Sequence, residues 1–321
     1  MARTLLLTRT EVAALLDPAA LVPALRSAFV DYSACAEGRA RRVGSALPGP
    51  GSATVLFPGV APGIPAYTVK VHAKFPDQQP AIRGVLCLHA METGELLAVM
   101  DSTHITSVRT GLAGALAAHT LARPDADTAA VVGAGVQGVQ QLRALAALRT
   151  LRLARSYDTA AGRAESFAHA MTAELGIRVE PRDSVEAAVR GAGIVLAATW
   201  AREAFILPGM LAPGAHVTTL GADEPGKAEV SASVIRAALF VCDDTALAVE
   251  MGALGGVGLG PEAVGAELGE VLSGAHPGRT SSEQLTVYGG VGLAFQDAVA
   301  AWAVYEAVRR SGAGREVDFL A

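Results

Sequence analysis

The chain has 321 residues, 51% of them apolar and 18% charged, enough to bury the cores of two domains and too apolar for long disorder. Its formal net charge is −5, and its densest basic stretch, Arg39-Ala40-Arg41-Arg42, is too short for a nucleic-acid footprint, so no nucleic-acid partner is expected. Three scattered cysteines (Cys35, Cys87, Cys242) and seven histidines show no metal-ligand spacing, no stretch reaches the ~20 apolar residues of a membrane span, and Leu5-Leu6-Leu7 is too short for a signal-peptide core; a cytoplasmic protein with no metal and no membrane partner is expected.

In chain order, residues 1–34 read as a short strand over 4–7 followed by amphipathic helices. Thr8 or Thr10 caps the first, and Asp17-Pro18 forms the cap and first turn of the second. Gly and Pro dominate 39–65, which reads as loops and small strands. Alternation predicts strands over 67–73, 85–89 and 96–100, the last two joined by a hairpin turn at Glu92-Thr93-Gly94-Glu95. This region is expected to be mostly antiparallel β with flanking helices. After Thr103 the pattern changes. A small-residue helix over 107–121 stops before Pro124, and then strand and helix alternate: strand 128–132, helix 136–148, strand 152–157, helix 160–175, helix 184–189, strand 193–198, a helical turn at 208–211 and strand 216–220. A last helix over 292–310 is expected to pack back on the first region.

The sharpest motif is Gly133-Ala134-Gly135-Val136-Gln137-Gly138, which follows an apolar strand and opens a helix. In such a loop the first Gly makes the tight turn, the second lets a pyrophosphate approach the backbone, and the third permits close helix–strand packing. The helix N-terminus presents free N–H groups and the positive end of its dipole to phosphates. Asp158 ends the next strand, twenty residues after Gly138. A carboxylate there accepts hydrogen bonds from ribose hydroxyls and repels a 2′-phosphate, which favours NAD. Taken alone, Asp158 would read as a helix N-cap.

Three further segments carry a resemblance: Thr106-Ser107-Val108-Arg109-Thr110-Gly111, Gly221-Ala222-Asp223-Glu224-Pro225-Gly226-Lys227-Ala228-Glu229, and Gln284-Leu285-Thr286-Val287-Tyr288. With the Gly133 loop and the Lys70 strand, the chain resembles the ornithine cyclodeaminase/mu-crystallin family over nearly its whole length. The resemblance implies a Rossmann-type doubly wound parallel sheet over 120–290. A discontinuous α+β substrate and dimerisation domain would comprise 1–119 and 291–321, in a homodimer. It implies hydride transfer between NAD and the Cα–N bond of a small amino acid or its imine, as in amino acid dehydrogenases and imine or ketimine reductases. Two alternatives stay open: a cyclodeaminase, in which a diamino acid such as ornithine closes on its own imine and loses ammonia, and a mu-crystallin-like dinucleotide-dependent binding protein.

By the same resemblance Arg42, Lys70 and Arg109 bind the substrate carboxylate, and Asp223 and Lys70 are the catalytic candidates. Thr110, Thr199, Trp200 and Lys227 join the Gly133–Gly138 loop and Asp158 as cofactor contacts. The chemistry is reasonable: an arginine fork suits a carboxylate, and a carboxylate beside the substrate nitrogen can take its proton and stabilise an iminium. Arg109 reads as a cation at a helix start, an unfavourable place that a bound anion would explain. Asp223 follows a parallel strand at its carboxyl end, where such sheets hold ligands, although alone it would pass for a turn residue before Pro225-Gly226. The chain departs from the family at two places. Val55 stands where cyclodeaminases carry an acid, which argues against a substrate with a second ammonium and for an apolar or neutral side chain. Gly289-Gly290 stands where Asp-Ser is usual.

Overall fold

The computed structural model describes residues 3–35, 39, 41–49, 51–319 and 321, with Arg41 through its backbone alone. Ala40 and the Arg41 side chain, part of the basic stretch read above, lie outside the described residues. The chain divides into two compact units, Met1–Arg109 with Leu293–Ala321, and Thr110–Gly292.

The first unit opens with β1 (Thr4–Leu7), α1 (Arg9–Leu15) and α2 (Pro18–Ala34). Thr8 closes a capping box with Glu11 at the start of α1, and Asp17 caps α2 with Pro18 in its first turn. Four antiparallel strands follow, β2 (Arg41–Ala46), β3 (Ser52–Gly59), β4 (Ala66–Lys74) and β5 (Ile82–Ala90), then β6 (Leu96–Asp101). Burial alternates along β4, as expected for a sheet covered on one face. Helix α3 (Ser102–Leu121) starts five residues before its predicted position, because Asp101 Oδ1 accepts from the N–H groups of Thr103 and His104 and caps it directly after β6.

The division between units falls inside α3, ten residues before the boundary read from the sequence. Packing gives the reason. A Cβ on Gly111 would overlap Gln140, and one on Gly114 would crowd Leu220 and Thr218, so this half of the helix lies tightly within the second unit.

The second unit holds β7 (Thr128–Val132), α4 (Val136–Leu148), β8 (Leu153–Tyr157), α5 (Arg163–Leu175), β9 (Arg178–Pro181), α6 (Val185–Val189), β10 (Ile194–Ala197) and β11 (His216–Thr219). It continues through α7 (Ala232–Ala237), β12 (Leu239–Cys242), α8 (Thr245–Glu250), β13 (Ala266–Glu267), α9 (Leu268–Ser273) and β14 (Thr286–Gly289). Its eight strands are all parallel, in the order β13-β12-β14-β11-β10-β7-β8-β9. The central strands are buried throughout, which explains their continuous apolar runs. Chain order reverses at β7, so the loops after β7 and β10 leave neighbouring strand ends, the place where doubly wound sheets hold ligands. Residues 208–211 form a turn rather than a helical turn.

The chain then returns to the first unit through α10 (Ala294–Ser311) and β15 (Arg315–Val317). The first sheet thereby reads β15-β1-β6-β5-β4-β3-β2. A Cβ on Gly59 would overlap the Ala294 carbonyl, so the first turn of α10 lies close against β3. Among the described residues no single helix is long and apolar enough to cross a membrane. Among the described residues Cys35, Cys87 and Cys242 form no disulfide.

Candidate functional site

Registered strands put one cationic row on the covered face of the first sheet. Arg42 pairs with Leu56, Leu56 with Lys70, and Lys70 with Leu86, so these side chains share a face. Lys70 is fully buried. Its Nζ lies 2.6 Å from Asp297 Oδ2 and 3.4 Å from Thr106 Oγ1. Arg109 is also buried, with Nε 3.1 Å from Asp297 Oδ1 and Nη1 2.6 Å from Gln296 Oε1. Two buried cations thus share one buried carboxylate.

Burial pushes the Lys70 ammonium well below the ordinary lysine range; Asp297 opposes this, while Arg109 and Arg42 add to it. Burial alone would raise the Asp297 carboxyl, but Arg109 and Lys70 outweigh it and hold it below its usual value. A carboxylate arriving here would hold the proton on Lys70 and offset the second cation.

Two sequence expectations change. Arg109 lies inside α3, seven residues after its first residue, so a helix-start argument does not explain it; Asp297 does. Val55 pairs with Val43 and Val71 on the opposite face from Lys70, and all three are exposed. An acid at position 55 would therefore point away from the cationic row, and its absence says nothing about the substrate side chain.

The glycine loop sits in the second unit. Gly133 has φ +97°, and a Cβ there would strike the Ala198 carbonyl; a Cβ on Gly138 would strike the Gly133 carbonyl. Nothing lies within 4 Å of a Cβ built on Gly135, the N-cap of α4, and no side chain caps that helix. Two glycines therefore answer to packing, while the third and the uncapped N–H groups of Val136, Gln137 and Gly138 leave a cradle suited to a pyrophosphate. Asp158 fastens this loop: Oδ2 accepts from the Ala134 N–H at 2.9 Å and Oδ1 from the Ala160 N–H at 2.8 Å. It does not cap α5, whose N-cap is Gly162. Arg163 Nη1 adds a longer contact to Oδ1 at 3.4 Å, and a carboxylate has acceptor capacity beyond these three, so ribose hydroxyls can still be received. The residues fit a dinucleotide.

A second cluster forms at the carboxyl ends of β10 and β11. Lys227 Nζ lies 2.9 Å from Asp223 Oδ1 and 4.1 Å from the centre of the Trp200 ring, with Glu224 Oε2 at 3.7 Å. Lys227, expected as a cofactor contact, is thus also the partner that holds Asp223. Thr199 is fixed from below by Glu229, a buried residue the motif analysis left without a role. Glu229 Oε1 accepts from the Thr199 N–H and Oγ1, and Oε2 from Thr219 Oγ1 and the Gly221 N–H, at 2.6–2.9 Å. One side chain thereby ties the loop after β10 to the loop carrying Asp223. Burial raises its carboxyl pKa, against the pull of these donors. Asp243, also unread in the sequence, accepts from the Val291 and Gly292 N–H groups and anchors the segment that follows β14.

Of the expected residues, Arg42, Lys70 and Arg109 belong to the first cluster, and Asp223, Lys227, Trp200 and Thr199 to the second. Asp158 joins the glycine loop, and Thr110 is half-buried in α3. Asp297 and Glu229 are the additions. Glu229 closes the recognisable Gly221–Glu229 segment, whereas the signal for Asp297 was a single acid inside an otherwise apolar helix. Among the described residues no group of three His, Cys, Asp or Glu side chains is arranged to hold a metal ion.

The model of the family described as ornithine cyclodeaminase/mu-crystallin matches residues 2–312. Alanine dehydrogenase of Archaeoglobus fulgidus is 31% identical over an alignment of 331 residues, spanning 99% of each chain. Among solved structures, an archaeal alanine dehydrogenase dimer with bound NAD matches at a TM-score of 0.92 and 30% identity, over 99% of this chain and 100% of that one. Thermococcus litoralis Δ1-pyrroline-2-carboxylate reductase, in complex with NADH and L-proline, matches at 0.91 and 28%, over 98% and 100%.

Proposed function

The chain belongs to the ornithine cyclodeaminase/mu-crystallin family, and we propose that it is an NAD-dependent enzyme acting on the Cα–N bond of a small amino acid or its imine. The observation that carries this reading is the pair of buried cations, Lys70 and Arg109, that share the single carboxylate of Asp297. A pure dinucleotide-binding protein has no need of that arrangement, whereas a substrate α-carboxylate completes its charge. Arg109 supplies a fork of donors, Lys70 a compact charge, and Arg42 lies in register beside it.

When bound at the glycine loop, the dinucleotide would supply the two-electron chemistry, accepting a hydride from Cα of an amino acid or donating one to an imine. Asp223 removes the proton from the substrate ammonium, so that the nitrogen lone pair can form the C=N bond as the hydride departs. Lys227 holds the Asp223 carboxylate in place while this happens. The products of oxidation are the imino acid, NADH and a proton. Water then converts a released imino acid into the 2-oxo acid and ammonia. Support for the cofactor comes from the cradle at Gly135, from Asp158, and from the relatives solved with NAD or NADH.

The enzyme acts as a homodimer in a reducing, cytoplasmic setting. Val43, Val55, Val71 and Val85 form a registered row on the outer face of the first sheet, 37–65% exposed, with Phe57 nearby. Such a contiguous apolar face is expensive to leave in water, and the archaeal relative is a dimer. Sedimentation of the intact chain tests this point. The activity is tested by incubating the protein with NAD⁺ and a panel of amino acids while measuring NADH, ammonia and proline together. NADH formed mole for mole with the oxidised product supports a dehydrogenase. Ammonia and proline from L-ornithine without NADH would make it a cyclodeaminase. NADH consumption with cyclic imines but silence on amino acids would favour the reductive direction.

A further inference from the structure

Lys70 is the first of three inward-facing basic side chains on β4. Lys70, His72 and Lys74 follow one another with a period of two and are only 0%, 5% and 3% exposed. The row through His72 runs Gly44–Thr54–His72–Gly84 across four strands. Gly44 and Gly84 bring no side chain to it, and a Cβ on Gly84 would overlap His72 itself. His72 is therefore the one bulky group of its row.

Neither ring nitrogen of His72 has a hydrogen-bond partner among the described residues. A buried polar atom left in this state costs about 1–3 kcal/mol, so a fold rarely keeps two of them without a use. The charges acting on the ring are mostly of one sign: Lys70, Arg42 and Lys74 against Asp297 alone. Burial, and then these cations, push the imidazole down to about 3, so it stays neutral and offers one N–H.

Resting on the function proposed above, we infer that the substrate carries a second carboxylate, received by His72 in the field of Lys74, and so is a 2-amino dicarboxylic acid or its imine. Alternate side chains on one strand stand about 6.6 Å apart. The outer oxygens of the two carboxylates in an extended five-carbon amino dicarboxylate span about this distance, and those of a four-carbon one somewhat less. With the α-carboxylate on Lys70 and Arg109, the second carboxylate reaches the next inward position of β4. A substrate ammonium in that place would face Lys70, Arg42 and Lys74 together. An apolar side chain would leave both ring nitrogens unmatched.

The test compares L-aspartate and L-glutamate with L-alanine, which lacks only the second carboxylate and the carbons that carry it. Each is titrated into NADH-loaded protein by calorimetry, and each is assayed with NAD⁺. At least one dicarboxylate should bind tenfold or more tightly than L-alanine, about 1.4 kcal/mol. His72→Leu, similar in bulk but without donors, should bring the dicarboxylate and L-alanine to within about threefold of each other, and thermal unfolding shows whether it is folded. If it is not, His72→Gln, which keeps an N–H donor, should retain a reduced preference. L-Alanine binding as well as the dicarboxylates, or no binding of either dicarboxylate, overturns the inference. So does an undiminished preference in a folded His72→Leu protein. Turnover of a neutral amino acid with NAD⁺ would still uphold the proposed enzyme while this inference failed.

Discussion

Arg109 and Asp297 are 188 residues apart in the sequence, yet the arginine Nε lies 3.1 Å from the Asp297 Oδ1 and both side chains are buried. The last long helix thus supplies the counter-charge for a cation set in α3. Removing one member of a buried pair leaves the other uncompensated, which costs about 3–5 kcal/mol. Asp297→Asn, which preserves shape, should lower unfolding stability by that order in denaturant titration. Added acetate should recover part of the loss by occupying the cationic cluster. An unchanged midpoint would show that Lys70 and Arg109 are balanced from elsewhere.

Glu229 gathers four donors on two oxygens. In Glu229→Gln one oxygen becomes an NH₂ group facing the Gly221 N–H, and a buried donor left unpaired costs about 1–3 kcal/mol. The pH dependence has a definite sign. Because burial raises the folded pKa above the unfolded one, the native state holds the proton more tightly. This residue's contribution to stability is therefore greatest at acid pH and is lost as pH rises through the folded pKa. Comparing unfolding midpoints against pH should show that slope in the wild type and its absence in Glu229→Gln. Parallel curves for the two proteins would remove Glu229 as its source.

Asp158 has two jobs that a substitution can separate. Its carboxylate fastens Ala134 in the glycine loop and would repel a 2′-phosphate. NADH should bind at least tenfold more tightly than NADPH, about 1.4 kcal/mol. Asp158→Asn keeps an acceptor for Ala134 but drops the charge, so NADH binding should persist while discrimination shrinks to within a few-fold. Fluorescence titration of both nucleotides reads the result, and equal affinities in the wild type would refute the argument.

Much of the second unit was legible because its signals are local. The turn at Gly133, the cap-free helix start and the buried strand of Thr128–Val132 lie within a dozen residues. The short strands at Arg178–Pro181, Leu239–Cys242 and Arg315–Val317 were not read, since three or four residues give too little periodicity. In the site, the cations were readable and their partners were not. Lys70 and Arg109 stand in recognisable segments, but only the return of α10 over β3 and β4 makes Asp297 their counter-ion. Val55 shows the opposite error, since a strand residue's meaning depends on which face it takes, and a one-residue shift in register reverses that.

The pairing of Lys227 with Asp223 decides between two roles for the lysine. Sequence resemblance made Lys227 a cofactor contact, while the structure sets its ammonium 2.9 Å from the proposed base and over the Trp200 ring. Asp223→Asn should lower kcat by about 10²–10⁴, the usual worth of a positioned general base, with NADH affinity little changed. Lys227→Met keeps the length of the side chain and removes the charge, so kcat should fall by a smaller factor, on the order of tenfold. The double variant carries the argument. If Lys227 works by holding Asp223, it has nothing left to hold in Asp223→Asn, and the double variant should be no slower than Asp223→Asn alone. The coupling energy from such a cycle would then lie in the range of about 0.5–3 kcal/mol expected of residues in contact. If Lys227 instead works on the dinucleotide alone, the two losses should multiply and NADH dissociation should weaken in every protein that lacks the lysine. Measuring kcat and the NADH dissociation constant across the four proteins separates the two, and multiplicative losses would return Lys227 to the cofactor.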